Sequence, residues 1–304
     1  MIKEVPSFLF HCEIEKKLTE KTIKAYQTDL SQFAKFLQAH EIEQVKKEEL
    51  KQYLLELSKY SSRTMKRKVA TLKAFYSYLE FEEKIEINPF RKVRVNIKLE
   101  QILPETLTIS EITSMLKVAY LERSKIKREG SYAYKEKTRN IAILELLVAS
   151  GMRVSELCSL RSYNVNADFT SVKIMGKGKK ERIIPITNEA TQFALIKNHQ
   201  LFKEEIDATS FVFINRFGRG LSEQSVRFMV RRYASLANIQ RKVTPHLFRH
   251  SFATLLLEGD VDIRYIQHLL GHSSINVTQI YAHVNEKKKK ELLQLKSPRN
   301  LMMV

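Results

Sequence analysis

Thr244-Pro245-His246-Leu247-Phe248-Arg249-His250, with Gly271-His272 and Tyr281 downstream, is the stretch from which the rest of the chain is read. His246 and Arg249 are three residues apart, so they share one side of a helical turn. An arginine and imidazoles together can hold a phosphate, and a phenol beside them can attack it. A free phenol has a pKa near about 10, so such an attack needs neighbouring cations that favour the phenolate. His246 and His250, at i and i+4, also have the spacing of a metal-binding pair. The residues between them supply no carboxylate and Arg249 would repel a cation, so no metal site is expected.

Upstream of this stretch, Ser110 is expected to cap a helix of about 111–121, followed by a charged loop or helix extension over 122–137. An apolar helix over 139–150 ends at Gly151 as its C-cap, and Met152-Arg153-Val154-Ser155-Glu156-Leu157 turns into the next helix. The hydrophobic period then changes to two. Residues 171–175 and 182–186 flank Gly176-Lys177-Gly178-Lys179-Lys180, which predicts a β-hairpin with a basic, glycine-rich turn. That turn lacks the spacing and the strand-to-helix setting of a P-loop, so nucleotide binding is not expected. Residues 211–214 suggest one more strand, and from Ser222 the chain returns to helices.

The first part of the chain reads as helices alone. Thr19 can cap a helix of about 20–40 whose apolar face is Ile23, Tyr26, Leu30, Phe33, Phe36 and Leu37. A second, about 47–58, aligns Leu50, Tyr53, Leu54 and Leu57. A third starts at Ser61 or Ser62 and runs to about Phe81 over Val69, Leu72, Phe75, Tyr76 and Leu79, with Asn88-Pro89 as its stop. Its early turns carry Arg63, Lys66, Arg67, Lys68 and Lys73, which read as DNA phosphate contacts, with a merely solvated face as the alternative. The expected domains are a helical one over 1–90, a linker over 91–106, and a larger one over 107–304.

The formal charge of the 304 residues is +18, from 52 Lys+Arg against 34 Asp+Glu, an excess that favours nucleic acid as partner. Hydrophobic residues make up 43%, which argues against a disordered chain. The two cysteines, Cys12 and Cys158, do not make a disulfide framework and act as small hydrophobes. The N-terminus lacks a signal-peptide pattern and the most apolar run, 141–149, contains Glu145 and is too short to cross a bilayer. A soluble, cytoplasmic protein is expected.

Ser150-Gly151-Met152-Arg153-Val154-Ser155-Glu156-Leu157, the Gly176-to-Arg182 turn, Thr244 to His250, and Leu270-Gly271-His272-Ser273-Ser274 through Tyr281-Ala282-His283 together resemble the tyrosine recombinase (phage integrase) family, Xer-type members above all. Leu18-Thr19-Glu20-Lys21-Thr22 through Asp29-Leu30 and Phe33 resembles its core-binding domain, so the resemblance covers nearly the whole chain. Each motif is weak alone; their order and spacing are specific. Arg139-Asn140 departs from the Arg-Asp common in the family, and the 122–137 stretch is longer than in compact members. Arg123, Lys125, Lys127 and Arg128 there are candidates for touching DNA or another protomer.

The resemblance implies a mainly α fold with a small antiparallel sheet in the C-terminal domain, arranged as a two-domain DNA clamp of a helical, SAM-like core-binding domain and an α+β catalytic domain. It implies a catalytic set of Arg153, Lys177, His246, Arg249, His272 and Tyr281, with Glu156 orienting the cations and Lys179 and Lys180 as alternatives to Lys177 or as DNA contacts. The arginines would grip the non-bridging oxygens of a phosphodiester. Tyr281 would attack, Lys177 would protonate the departing 5′ oxygen, and a 3′-phosphotyrosyl link and a Holliday junction would follow, with no ATP, metal or other cofactor. Tyr265, the nearest rival to Tyr281, reads as packing on an apolar helix face. The implied activity is site-specific recombination: integration, excision or dimer resolution. A type IB topoisomerase and an inactive DNA-binding regulator are the alternatives. The implied partners are duplex DNA with inverted-repeat arms, further copies forming a tetramer on two sites, and an accessory protein. The apolar end, Leu301-Met302-Met303-Val304, would dock on a neighbouring protomer or on its own.

Overall fold

The computed structural model describes residues 3–37, 45–93, 95–98, 105–176 and 181–271. The chain divides into two compact units, Met1–Ile102 and Leu103–Val304, each with its own core. Among the described residues no helix is long and apolar enough to cross a membrane.

The first unit holds helices α1 (Val5–Ile14), α2 (Glu20–Leu37), α3 (Lys47–Leu57) and α4 (Ser62–Phe81). The i, i+3, i+4 faces read from the sequence are the ones buried: Leu30, Phe33 and Leu37 on α2, Leu50, Tyr53 and Leu57 on α3, Val69, Leu72, Phe75, Tyr76 and Leu79 on α4. Ser61 caps α4 by accepting from the Thr64 backbone N–H. Helix α1 is not among the elements that the sequence pattern predicts. It carries Pro6 in its first turn and inserts Phe8 and Cys12 into the same core.

Asn88-Pro89 does not end α4. That helix stops at Phe81, Glu83 turns left-handed at φ 53°, and Lys84 N–H closes onto the Leu79 carbonyl at 2.8 Å. Asn88 instead caps a 3-10 turn, Pro89–Lys92, accepting from Phe90 N–H at 2.9 Å. Phe90 and Val93 are buried and Val95 and Ile97 pack beside them, so this part of the expected linker lies along the first unit's core.

The second unit is built on α5 (Ile109–Ser124), α6 (Tyr132–Ser150), α7 (Val154–Cys158), strands β1 (Ser171–Met175) and β2 (Glu181–Pro185), then α8 (Glu189–Leu201), α9 (Lys203–Thr209), α10 (Glu223–Leu236), α11 (Pro245–Glu258) and α12 (Ile263–Leu270). Thr108, not Ser110, caps α5: it forms a capping box with Glu111, and Arg241 pairs with the same carboxylate. Helix α6 is the hub, with α5, α8 and α11 packed on it. That is why it is buried on all sides from Thr138 to Leu147. Its buried Glu145 accepts from the Tyr120 and Thr191 hydroxyls at 2.9 and 3.1 Å. Arg139 donates to the Asn140 side chain at 3.1 Å and to the Ile214 carbonyl at 2.7 Å.

Strands β1 and β2 pair antiparallel, with Val172 opposite Ile184 and Ile174 opposite Arg182. Residues 211–214 add no full strand; Phe211 and Ile214 make isolated bridges to Arg161 and Gly220. The architecture is mainly helical with one two-stranded antiparallel sheet among the described residues.

Candidate active site

Helix α6 ends where the site begins. Gly151 closes it in the left-handed conformation at φ 57°, with its N–H on the Leu147 carbonyl. A Cβ here would meet the Phe252 ring at 2.5 Å and Leu270 at 3.0 Å, so only glycine lets α11 and α12 come this close. Arg153, two residues on, occupies the N-cap of α7. Its backbone N–H reaches the Glu156 carboxylate at 2.8 Å and its Nη1 reaches it at 2.9 Å.

Glu156 is buried, and Arg182 from β2 grips it with two parallel bonds, Nη1 to Oε1 at 3.0 Å and Nη2 to Oε2 at 2.8 Å. Burial alone would push the Glu156 carboxyl up. The hydrogen bonds from Arg182 and the Arg153 backbone, with both guanidinium charges, outweigh it and hold the carboxyl below the usual glutamate value.

Arg249 comes from the first turns of α11 and is also buried. It donates from Nη1 to the Gly151 carbonyl at 2.9 Å and from Nη2 to the Leu270 carbonyl at 2.6 Å. The C-terminal end of α12 therefore gathers all three arginines: Arg182 Nε on Leu269 O at 2.8 Å, Arg249 on Leu270 O, and Arg153 Nη2 on Gly271 O at 3.5 Å. A helix C-terminus presents unpaired carbonyls and a partial negative charge, so guanidinium groups are its natural partners. The three arginines against one glutamate leave this set with a surplus of two positive charges.

His246 is exposed on the first turn of α11, one turn before Arg249. The His250 ring lies 6.4 Å from its ring, centroid to centroid, and is more deeply placed. Burial, then the neighbouring His246 and Arg249, lower the His250 pKa, which favours the neutral imidazole. Among the described residues no cluster of three or more His, Cys, Asp or Glu could hold a metal ion.

The structure brings Arg153, Glu156 and Arg249 together around the end of α12, and His246 stands one turn before Arg249 on α11. Lys177, Lys179, Lys180, His272 and Tyr281 lie outside the described residues. Two expectations change. Tyr265 is not packing: it is 70% exposed, because Ile266 and Leu270 form the buried face of α12. Lys68 is not available to DNA: it is buried and donates to Asp29 at 3.0 Å and to Gln32. Helical spacing explains it, since Lys68 falls in line with Thr71, Leu72 and Phe75, whereas Arg63, Lys66, Arg67 and Lys73 share the exposed side of α4. The sequence pattern gives Arg182 no role, although the alternation along β2 places it inward, in line with Ile184.

Residues 106–288 match the model of the Phage integrase family, and residues 5–83 match that of the phage integrase N-terminal SAM-like domain. A tyrosine recombinase of Agathobacter rectalis is 43% identical over 296 residues, covering 97% of this chain and 96% of the relative. Tyrosine recombinase XerC of Thermodesulfovibrio yellowstonii is 35% identical, covering 93% and 92%. The crystal structure of the XerH site-specific recombinase bound to a palindromic difH substrate, in a post-cleavage complex, superposes with a TM-score of 0.72 at 23% identity, over 95% of this chain and 84% of that one.

Proposed function

Because the chain belongs to the Phage integrase family, the tyrosine recombinases that cut and rejoin DNA strands, we propose that the cationic site at the end of α12 is where it does so. Arg153 and Arg249 grip the non-bridging oxygens of one phosphodiester, and His246 donates a further hydrogen bond. Charge grows on those oxygens as the nucleophile arrives, so positive groups already fixed in place lower the barrier. Tyr281 attacks phosphorus and gives its phenolic proton to His272; its oxygen–phosphorus bond forms as the bond to the 5′ oxygen breaks. Lys177 gives that oxygen its proton, and His272 assists at the phosphate. The 5′-hydroxyl of a second strand then attacks the phosphotyrosyl link and releases the tyrosine. One phosphodiester bond is exchanged for another through the tyrosyl ester, so no ATP is consumed.

The observation that carries this reading is the convergence of Arg153 and Arg249 on adjacent carbonyls of one helix end, one arginine half-exposed and the other sunk. Outside the site, Arg63, Lys66, Arg67 and Lys73 on α4 contact DNA phosphates and supply sequence-independent affinity. The recognition site has inverted-repeat arms, and four copies assemble on two such sites through the C-terminal tail, with an accessory protein as a further partner. The reaction takes place in the cytoplasm.

The test uses a recognition duplex selected by the protein itself from a random-sequence DNA pool, with a nick placed beside the cleavage position. Wild-type protein traps as a covalent adduct and Tyr281→Phe does not. An adduct undiminished by that substitution contradicts the mechanism, and relaxation without strand exchange contradicts recombination.

A further inference from the structure

Arg182 stands where the pleat of β2 calls for an apolar side chain. Its neighbours on the inward face are Val172, Ile174 and Ile184, all in the core. Burying a guanidinium costs several kcal/mol unless it is paired and fully hydrogen-bonded. All three of its nitrogens are engaged: Nη1 and Nη2 on the two oxygens of Glu156, Nε on the Leu269 carbonyl. Glu156 in turn holds the backbone and the guanidinium of Arg153. At the other side of Arg182 the left-handed Gly271, at φ 62°, lies so close that an added Cβ would sit 3.0 Å from Nη1.

We infer that Arg182 is a positioning residue of the cleavage reaction: it fixes Glu156 and the end of α12 in one relation, so that Glu156 orients Arg153 toward the phosphate rather than sequestering it. This rests on the phosphate-gripping role proposed for Arg153. A buried carboxylate attracts whatever cation is nearest. With Arg182 on both its oxygens, Glu156 takes from Arg153 only the backbone N–H and one guanidinium donor, Nη1; Nη2 makes a long contact of 3.5 Å with the Gly271 carbonyl, and the guanidinium keeps donors to turn to DNA. Without Arg182, Arg153 is the sole cation beside an otherwise uncompensated buried charge and is drawn onto it. The same loss frees the Leu269 carbonyl and loosens the α12 end that precedes His272. A bare structural ion pair would make Arg182 matter to folding alone; the shared carboxylate makes it matter to the rate.

The experiment compares single-turnover cleavage and DNA affinity of wild type, Arg182→Met, Arg182→Lys, the double variant Arg182→Met/Glu156→Gln, and Arg153→Gln, on the selected nicked duplex. Expected for Arg182→Met is cleavage slower by about 100-fold, the scale of a small misplacement of a catalytic group, with affinity kept within about threefold. Adding Glu156→Gln removes the charge that captures Arg153 and restores about tenfold of the rate. A double variant no faster than Arg182→Met overturns the inference, as does Arg182→Met at the wild-type rate. Should the Met variants fail to fold, Arg182→Lys decides: slowed cleavage with unchanged affinity supports the inference, and a wild-type rate ends it. An inactive Arg153→Gln beside a fully active Arg182→Met removes this inference alone; an active Arg153→Gln removes the phosphate-gripping role and the inference with it.

Discussion

The Asp29 cluster of the first unit and the Glu156 cluster of the second use the same electrostatic parts. Each has one buried carboxylate, one sunk cation and one arginine at the surface. Around Asp29 these are Lys68, 3% exposed, and Arg67, 45% exposed; around Glu156 they are Arg182, 5%, and Arg153, 35%. The difference lies in what completes each shell. Asp29 also accepts from the Thr71 hydroxyl, and Lys68 from the same group turns to Gln32, so the network closes within α2 and α4 and ties the two helices together. Around Glu156 the network stays open: Arg249 enters as another buried guanidinium, and it and Arg182 spend donors on the backbone end of α12. A buried ion pair by itself marks scaffold as readily as a site. A surplus of fixed cations gathered on a helix end is what distinguishes the proposed site.

The comparison breaks most visibly at Arg249. Arg249→Ala is expected to slow cleavage by about a thousandfold or more, the scale of losing a group that stabilises transition-state charge, whereas Asp29→Asn leaves the rate of bound, folded protein unchanged. Single-turnover adduct formation reads both. Next come the carboxylates themselves. Glu156→Ala and Asp29→Ala each leave a sunk cation without its counter-ion and should cost about 3–5 kcal/mol in urea unfolding. If either were neutral, the clusters would not be equivalent as scaffold.

Acid separates the Glu156 contribution. Its carboxyl is held below the usual value, so the stabilisation is complete above the unfolded glutamate pKa of about 4.3 and is lost as pH falls through the folded value. Unfolding midpoints of wild type and Glu156→Gln should therefore differ most near neutral pH and converge in acid. A gap that widens as pH falls would reverse the sign of the linkage. The smallest effect concerns α4. Lys66→Ala or Arg63→Ala should each reduce the slope of log affinity against log salt by about one, and Lys68→Met should leave the slope where it was.

Much of this could be read in the chain beforehand, for identifiable reasons. The core faces of α2, α3 and α4, the Gly151 cap and the β1–β2 hairpin follow from periodicity and punctuation, which are local. Arg153, His246 and Arg249 stand in motifs whose order is distinctive. What escaped depends on partners far along the chain. Lys68 reads as one more basic residue until Asp29 is seen beneath it, although its spacing from Thr71 and Phe75 already places it inward. Arg182 reads as the tail of a basic turn until Glu156 and Leu269 supply its reason to be buried. Tyr265 reads as packing from its apolar neighbours, yet the buried face of α12 is that of Ile266 and Leu270, four residues apart, and Tyr265 lies off it. Thr108 outcompetes Ser110 as cap of α5 because Glu111 stands three residues after it.

In the proposed mechanism Arg153 and Arg249 work by neutralising the charge of one DNA phosphate. The direct measurement is single-turnover cleavage by wild type, Arg153→Ala and Arg249→Ala on two nicked duplexes, one natural and one with an uncharged methylphosphonate at the cleavage position. On the neutral linkage the deficit of each variant relative to wild type should shrink by at least about tenfold, because the charge the arginines serve is gone. The same deficit on both duplexes would show that the arginines do not act on the phosphate charge.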